Sequence, residues 1–539
     1  MNDEQALALL AADTDRTQDY VFESARLPEI RGASRQLDDL NHRIKALTQT
    51  ALAQSSDSRC RVIYAGGGSL LALVPAAVAP QLAREIEALY PRETTTATIT
   101  ADWRPVTAEM LAQGYPPRPG APFGSLVQWA GTWLRRRKES HLHHPFVVAA
   151  PHTERCASCN RRPADPATLG QVQGLLCGVC RAKRQYAGRD TWFRQVELAR
   201  TGVSAPDLTP YLPQTLGEIG QASRGRPGYV GFIYLDGDGL GRVLETLPTA
   251  EAYTAVSQAI ESAARTAVFG ALRDLRPTEV RREAGVSGAG GNARVYPFEI
   301  LTIGGDDVML IVPADLAIPV ACAISRVFES EMQKQLATAP VPQAVKSAHY
   351  TLSGGVVLSD DHNPVRFLRD LAQELQDSAK AARKATGANE GYLDFLVLKS
   401  ADMLEQDLEA LRGRYPYTLE RPGEVRPLRL LGRPYSAATL QALWEGLGQL
   451  RKAHFANSQM QQLAQALLSG QHEATLFYLY QHARDRESYA VLDGVLKAVQ
   501  GGGPNDPPPW IQITAADRDY DFQTALWDIS ELYAFVREG

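Results

Sequence analysis

Cysteine is scarce in this chain: six among 539 residues. Four of them, Cys156, Cys159, Cys177 and Cys180, fall in two CxxC pairs, a metal arrangement more than a disulfide framework. Basic charge is not in excess either. Lys+Arg total 56 against Asp+Glu 61, a formal charge of −5, so the chain is no polybasic coat for nucleic acid, and any such contact is a local patch or runs through a partner. The N-terminal MNDEQALALLAADTD has no basic n-region, and acids soon end its apolar stretch, so no signal peptide is expected. Long apolar runs are missing too. The longest, Phe298 to Ile324, contains Gly304-Gly305-Asp306-Asp307 and Asp315, carboxylates too costly to bury in lipid. Hydrophobic residues at 44% and charged residues at 22% are globular values. These features predict a soluble, cytoplasmic protein of about three or four domains with no membrane partner.

What is present begins with a repeat. Residues 303–314 read IGGDDVMLIVPA and residues 65–76 read AGGGSLLALVPA; Gly, Gly, Val, Pro and Ala coincide in register. Upstream of each lies an apolar segment ending in spaced aspartates, Asp13 and Asp15 in the first copy, Asp236 and Asp238 in the second. Runs at 229–235, 298–303, 308–312 and 350–359 read as strands. Segments 250–272 and 366–385 have helical spacing. The order β-α-β-β-α-β is a ferredoxin-like palm, and its recurrence predicts a duplicated palm in an α+β protein. From about residue 400 the pattern turns helical, with helices over 436–455 and 458–470, Gly470 as a stop, and a closing amphipathic helix over 521–538. GYPPRPGAP (114–122), AGVSGAGGNAR (284–294) and GGGPNDPPP (501–509) read as breaks and surface loops.

Gly304-Gly305-Asp306-Asp307 lies between two apolar strands, so a hairpin there presents adjacent carboxylates at its tip, and glycines let a phosphate approach the backbone. With Asp236 at a neighbouring strand end, three carboxylates form the donor set of a two-metal phosphoryl-transfer site using Mg²⁺ or Mn²⁺. The competing reading is a solvated turn, since Asp and Gly are common turn residues. Lys380, on the downstream helix, is the natural triphosphate ligand; its plain alternative is a solvated lysine. The first copy has Gly68 and Ser69 where the second has Asp306 and Asp307. It cannot hold metal through carboxylates, though Gly66, Gly67 and Gly68 leave a surface against which a nucleotide can pack. One active and one degenerate palm are therefore expected.

The spacing CxxC-x17-CxxC is a tetrahedral zinc pattern. No catalytic His-x-Glu accompanies it, which favours a closed structural site. Just upstream, RRRKESHLHHPF (135–146) is the strongest basic run. It reads as a solvated helical face, with phosphate contact as the alternative. His141, His143 and His144 have poor ligand spacing. Cys60 and Cys322 read as core thiols.

With these residues together, the chain resembles the large subunit of type III CRISPR effector complexes, the two-palm polymerase of the Csm/Cmr type. The resemblance runs through TQDYVF (17–22), LPEIRGASRQLDDLN (27–41), AGGGSLLALVP, HPF and CASCNRRPA (144–164), CGVC, LDGDGLG and IGGDD. It implies polymerisation of ATP into cyclic oligoadenylates when a complex senses target RNA. It implies that Asp236, Asp306 and Asp307 hold Mg²⁺ or Mn²⁺ with the Gly237 backbone as a further ligand, and that Gly304, Gly305 and Lys380 meet triphosphate. Ser34 of the RGAS segment is then a contact to the second ATP. Other CRISPR effector subunits are the implied partners, with guide RNA and target RNA met mainly through the complex. Many relatives begin with an HD nuclease domain; here none of the ten histidines is followed by Asp, so no nuclease activity is expected.

The implied division is a degenerate first palm at 1–125, a zinc-binding helical domain at 126–215, the catalytic second palm at 216–399 and a helical domain at 400–539. Two other classes remain open in the sequence. A scaffold subunit without catalysis places no demand on Asp236, Asp306 and Asp307. A palm cyclase with another cyclic product, such as a diguanylate cyclase, shares the hairpin, but here Asp307 is followed by Val308-Met309 where that family has Glu-Phe.

Overall fold

The computed structural model describes the chain apart from residues 1–5, 56, 117–121, 141–151, 167–173, 284–289, 400–407, 415–417, 420–427, 504, 514–520 and 538–539. In chain order, β1 (Leu7–Asp15), α1 (Thr17–Phe22), α2 (Leu27–Leu52), β2 (Arg61–Gly66), β3 (Ser69–Pro75), α3 (Ala79–Thr94) and β4 (Thr98–Val106) build the first palm. The helices α4 (Ala108–Gln113), α5 (Phe123–Ser140), α6 (Gly178–Tyr186), α7 (Thr191–Thr201) and α8 (Leu216–Gly220) follow. The second palm comprises β5 (Tyr229–Gly237), α9 (Leu240–Glu245), α10 (Ala250–Leu272), β6 (Thr278–Arg282), β7 (Gly291–Val295), β8 (Glu299–Gly304), β9 (Asp307–Pro313), α11 (Ala314–Thr338), α12 (Gln343–Lys346), β10 (Leu352–Asp360), α13 (Val365–Thr386) and β11 (Tyr392–Val397). Helices at Ala437–Lys452, Asn457–Leu467, Gln471–Arg484, Arg486–Gln500 and Leu526–Tyr533 close the chain.

The protein is α+β, and its repeat is one of topology. The first palm's strands are ordered β2-β3-β1-β4, and the second palm's β8-β9-β5-β10, the same arrangement, with β11 and a two-residue strand at Tyr435–Ser436 added beyond β10. Such a sheet needs each strand to be apolar on the faces its helices cover. Leu7 to Ala12 of β1 and Val308 to Pro313 of β9 are buried without interruption, which is why both read as continuous apolar runs. Among the described residues no helix is long and apolar enough to cross a membrane.

Two compact units divide the chain, and the division passes through the second palm. One unit contains Met1–Thr215, Gly237–Met309 and Val327–Tyr350; the other contains Leu216–Asp236, Leu310–Arg326 and Thr351–Gly539.

In the first unit, β1 pairs antiparallel with β3 and β4, with Asp13 opposite Ser69 on one side and Thr100 on the other. Elements of both palms meet here. Thr254 of α10 donates to the Ile63 carbonyl of β2 at 2.9 Å. Arg31 of α2 and Glu299 of β8 form a fully buried ion pair, with Nε 2.8 Å from Oε2. Its guanidinium also donates to the carbonyls of Ala187 and Pro213, and such extra hydrogen bonds are what make a buried charge pair tolerable. Between α10 and β8 the chain makes an unforeseen antiparallel ribbon, β6 on β7, with Thr278 opposite Val295; the Gly-rich residues 284–289 lie outside the described residues.

In the second unit, β10 and β11 run parallel from Gly354 opposite Leu393 to Leu358 opposite Val397. Gly354 is there because a Cβ would stand 2.3 Å from the Tyr234 carbonyl oxygen of β5. The closing helix is shorter than the amphipathic pattern of 521–538 predicts. Phe522–Gln523 is a short strand and the helix runs only Leu526–Tyr533. Its acids explain the difference in burial: Asp528 and Glu531 point inward onto the buried Arg433, with Glu531 Oε2 2.8 Å from Arg433 Nη2.

Candidate active site

The predicted hairpin is present, with a tighter turn than four residues. Gly304 ends β8 and Asp307 begins β9, leaving Gly305-Asp306 as a two-residue turn. Gly305 has φ +71°, the left-handed region open to glycine at little cost. The first palm makes the equivalent turn from Gly67 and Gly68, with φ +59° and +89°. Here the degenerate copy has a physical reason for its glycine. A Cβ on Gly68 would stand 2.9 Å from Thr14 Oγ1, while Thr14 N–H and hydroxyl both donate to the Gly68 carbonyl at 2.8 Å. An aspartate at the position equivalent to Asp306 would break that turn.

The two hairpins face each other through glycine. A Cβ on Gly67 would lie 3.4 Å from the Gly304 carbonyl, and one on Gly304 would lie 3.5 Å from Gly67 Cα. The Tyr64 hydroxyl stands beside them, 3.4 Å and 3.7 Å from the Cβ positions of Gly67 and Gly305. Burial, then the carboxylates of Glu261 and Asp306, push its phenol well above the ordinary value, so it is a neutral donor.

A cavity of about 250 Å³ opens beside this junction. Ser34, Gly67 and Gly68 of the first palm border it together with Gly304 and Asp307 of the second. Four residues that sequence reasoning missed line it as well: Asn41, His42, Lys45 and Arg265. Arg265 pairs with Glu261 one turn away on α10 at 2.9 Å. The missed signal was a helical stripe. Ser34, Asp38, Asn41 and Lys45 recur every three or four residues along α2, the spacing of one face, and that face is polar toward the cavity.

Gly237 packs onto the acidic turn from below. A Cβ there would stand 2.4 Å from Asp306 Oδ2 and 2.4 Å from Leu240 Cδ1, so no side chain is possible without moving the carboxylate. In the second unit, Asp236 accepts from Gln376 Nε2 at 3.3 Å and pairs with the Lys380 ammonium. Lys380, expected at a triphosphate, here neutralises the strand-end acid.

Residues 229–388, which include β5, β8, β9 and β10 and both acidic motifs, match the family model for Cas10/Cmr2, second palm domain. That stretch of the chain is similar to a Cas10/Cmr2 second palm. No curated protein matches the chain. Solved structures do, at the level of fold. A Csm1–Csm4 cassette in complex with cA4 has TM-score 0.55 at 15% identity, and one in complex with one ATP has 0.56 at 14%. Csm1 of T.onnurineus has TM-score 0.52 at 15% identity, and all three cover 99% of this chain and 70% of the other.

The first palm treats its own strand-end acids differently. Asp13 accepts from Ser69 Oγ at 2.6 Å and from Lys138 Nζ at 2.6 Å; Asp15 lies 3.1 Å from the same ammonium and accepts from Thr98 and Thr100. The basic run is therefore only half a solvated face. Arg135 and Arg136 are exposed, while Arg137 reaches Glu87 at 3.0 Å and Lys138 fills the acid pair. His141, His143 and His144 lie outside the described residues.

Between the two palms in sequence stands the cysteine knuckle. All four sulfurs are buried and lie within 4.8 Å of one another. Cys159 Sγ and Cys177 Sγ are 3.8 Å apart, the edge of a tetrahedron with Zn–S bonds of about 2.3 Å. Backbone N–H groups of Ser158 and Cys180 point at Cys156 and Cys177 sulfur at 3.4 and 3.5 Å, as thiolates require. The four cysteines fit a closed structural zinc site. Of the remaining thiols, Cys322 is a core residue as expected, its pKa pushed up to about 12 by burial, whereas Cys60 is only half-buried.

Proposed function

We propose that the chain is the nucleotidyltransferase subunit of a type III CRISPR effector and converts ATP into cyclic oligoadenylates. The observation that carries this reading is the glycine-to-glycine meeting of two palm hairpins beside one cavity, bordered by Ser34 on one side and by Gly304 and Asp307 on the other. A second nucleotide facing the acidic turn is what strand growth demands, and the match to the Cas10/Cmr2 second palm agrees with it.

In this reading Asp306 and Asp307, with Asp236 one residue before Gly237, hold two Mg²⁺ or Mn²⁺ ions. Bound there, the ions supply Lewis acidity to the attacking and leaving oxygens. The 3′-hydroxyl oxygen of one ATP bonds to the α-phosphorus of the other, its proton leaves, and the α–β bridging bond breaks to release pyrophosphate. The chain's own groups position these atoms. Gly304 and Gly305 let phosphate lie against the backbone, and Gly67 and Gly68 do the same for the second nucleotide. The Ser34 hydroxyl contacts that second nucleotide. Lys380, which pairs with Asp236, would meet the triphosphate when it binds. In the same reading zinc is structural, the chain consists of the four domains expected from its sequence, and other effector subunits bring guide RNA and target RNA to the chain.

The test is to incubate the chain, alone and assembled with type III effector subunits and target RNA, with each nucleoside triphosphate and Mg²⁺ or Mn²⁺. Mass spectrometry should find oligoadenylate from the wild type and none from the double variant Asp306→Ala, Asp307→Ala. Silence of the assembled wild type rejects the reading in favour of a scaffold; a product from GTP moves it to another cyclase.

A further inference from the structure

The cavity wall made by α1 is a weak element held from outside. α1 has six residues, too few to be stable alone, and no side chain caps it: its N-cap is Arg16 in a left-handed conformation. Yet Thr17, Gln18 and Val21 of this helix line the cavity. What holds it is Glu23, the residue at its C-cap. Each half of the cysteine knuckle sends one cation to that carboxylate, from the third residue after its last cysteine. Arg162, following Cys159, donates to Glu23 Oε2 at 2.9 Å; Lys183, following Cys180, donates to Oε1 at 2.8 Å. Lys183 is fully buried and also donates to the Tyr20 carbonyl of α1. Three further contacts join the same parts. Ala25 N–H donates to the Ser158 carbonyl at 3.1 Å, Ser24 Oγ lies 3.5 Å from Cys180 sulfur, and a Cβ on Gly32 would stand 1.8 Å from the Lys183 carbonyl.

Seventeen residues separate the two CxxC pairs, and none of the four cysteines is in a disulfide. No disulfide holds Arg162 and Lys183 in register; a metal on the four sulfurs would. We infer that Glu23 is a positioning residue through which the four-cysteine knuckle sets the α1 wall of the nucleotide cavity, so that loss of the knuckle's metal weakens nucleotide binding without altering the second palm. The inference rests on the nucleotide-site reading given above.

The experiment uses the full chain and a non-hydrolysable ATP analogue, comparing Glu23→Gln with Asp165→Asn. Asp165 pairs with Arg181 on the knuckle's outer side at 3.0 Å and is no part of the clamp. Three quantities are read: zinc per chain, analogue affinity, and hydrogen exchange of 17–24 against 302–307. Glu23→Gln should keep its zinc, lose about 10- to 100-fold in affinity, and exchange faster over 17–24 only; Asp165→Asn should match the wild type. Unchanged affinity and exchange in Glu23→Gln overturn the inference. If Glu23→Gln loses zinc or misfolds, graded chelation of the wild type replaces it, and exchange over 17–24 that stays slow as zinc leaves overturns the inference equally. A wild type that binds no analogue refutes the nucleotide-site reading instead, and the exchange comparison still decides whether knuckle and α1 are coupled.

Discussion

Substituting Gly237 by alanine tests the acidic turn through one added methyl. The new carbon would stand 2.4 Å from Asp306 Oδ2 and 2.4 Å from Leu240 Cδ1, roughly 1 Å inside ordinary contact. Leu240 begins α9 and is itself buried, so the added methyl must displace the Asp306 carboxylate as well as the leucine. A displacement of about 1 Å at a reacting centre costs about 100-fold in rate, or about 2.7 kcal/mol of barrier. Overpacking costs a further ~1–3 kcal/mol of stability. Two neighbours separate the causes. Gly239 has φ +69° with nothing within 4 Å of its Cβ position, so Gly239→Ala costs about 1–2 kcal/mol of backbone strain and leaves turnover alone. Gly241 lies in α9 at ordinary φ with open space, and Gly241→Ala is stabilising by about 0.5–1 kcal/mol. The assay is oligoadenylate formation by the assembled protein beside urea midpoints of the three variants. Turnover of Gly237→Ala within twofold of wild type would refute the argument, as would an equal loss in Gly239→Ala.

Further expectations follow from other parts of the molecule. Gly67→Ala would place its methyl in ordinary contact, 3.4 Å from the Gly304 carbonyl, but at a strained φ of +59°, so it should cost about 1–2 kcal/mol of stability; an unchanged urea midpoint would rule out the left-handed turn. Lys138→Met leaves Asp13 and Asp15 facing each other without their ammonium. With these groups part-exposed, the loss is about 1–2 kcal/mol, read as a lower urea midpoint. Burial alone would raise the Glu531 carboxyl, but Arg433 and Lys399 outweigh it and hold it below its ordinary value. Its ionised form therefore stabilises the fold above roughly pH 4.3 and ceases to do so as pH falls through the lowered pKa. Glu531→Gln should be less stable at neutral pH and show a flatter acid limb in urea titrations.

Both palms were legible because their signal is local. An apolar strand, a Gly-Gly turn and a second apolar strand survive in each copy even though the acids do not, since β1, β3, β5 and β9 must be buried on both faces whatever the turn does. The closing helix misled for the same kind of reason. Asp528 and Glu531 look solvent-facing in an amphipathic pattern, and only the distant Arg433 makes their burial possible. Long-range pairing also hid the fate of Lys138 and Lys380, since no spacing in the sequence says which carboxylate an ammonium meets. The polar stripe of α2 was readable, but a stripe of Ser, Asp, Asn and Lys ordinarily marks a solvated face, and only an opposing palm turns it into a cavity wall.

Lys138 gives the first palm a counter-ion that is covalently part of the chain. A tethered ammonium cannot be chelated, diluted away or exchanged for a competing ion, so this half of the duplicated pair keeps its shape in any cation supply. All three N–H donors of this ammonium are already engaged, by Asp13, Asp15 and the Thr14 carbonyl. With its donors taken, that ammonium fills the place beside Asp13 and Asp15 that a cation from solution would otherwise occupy.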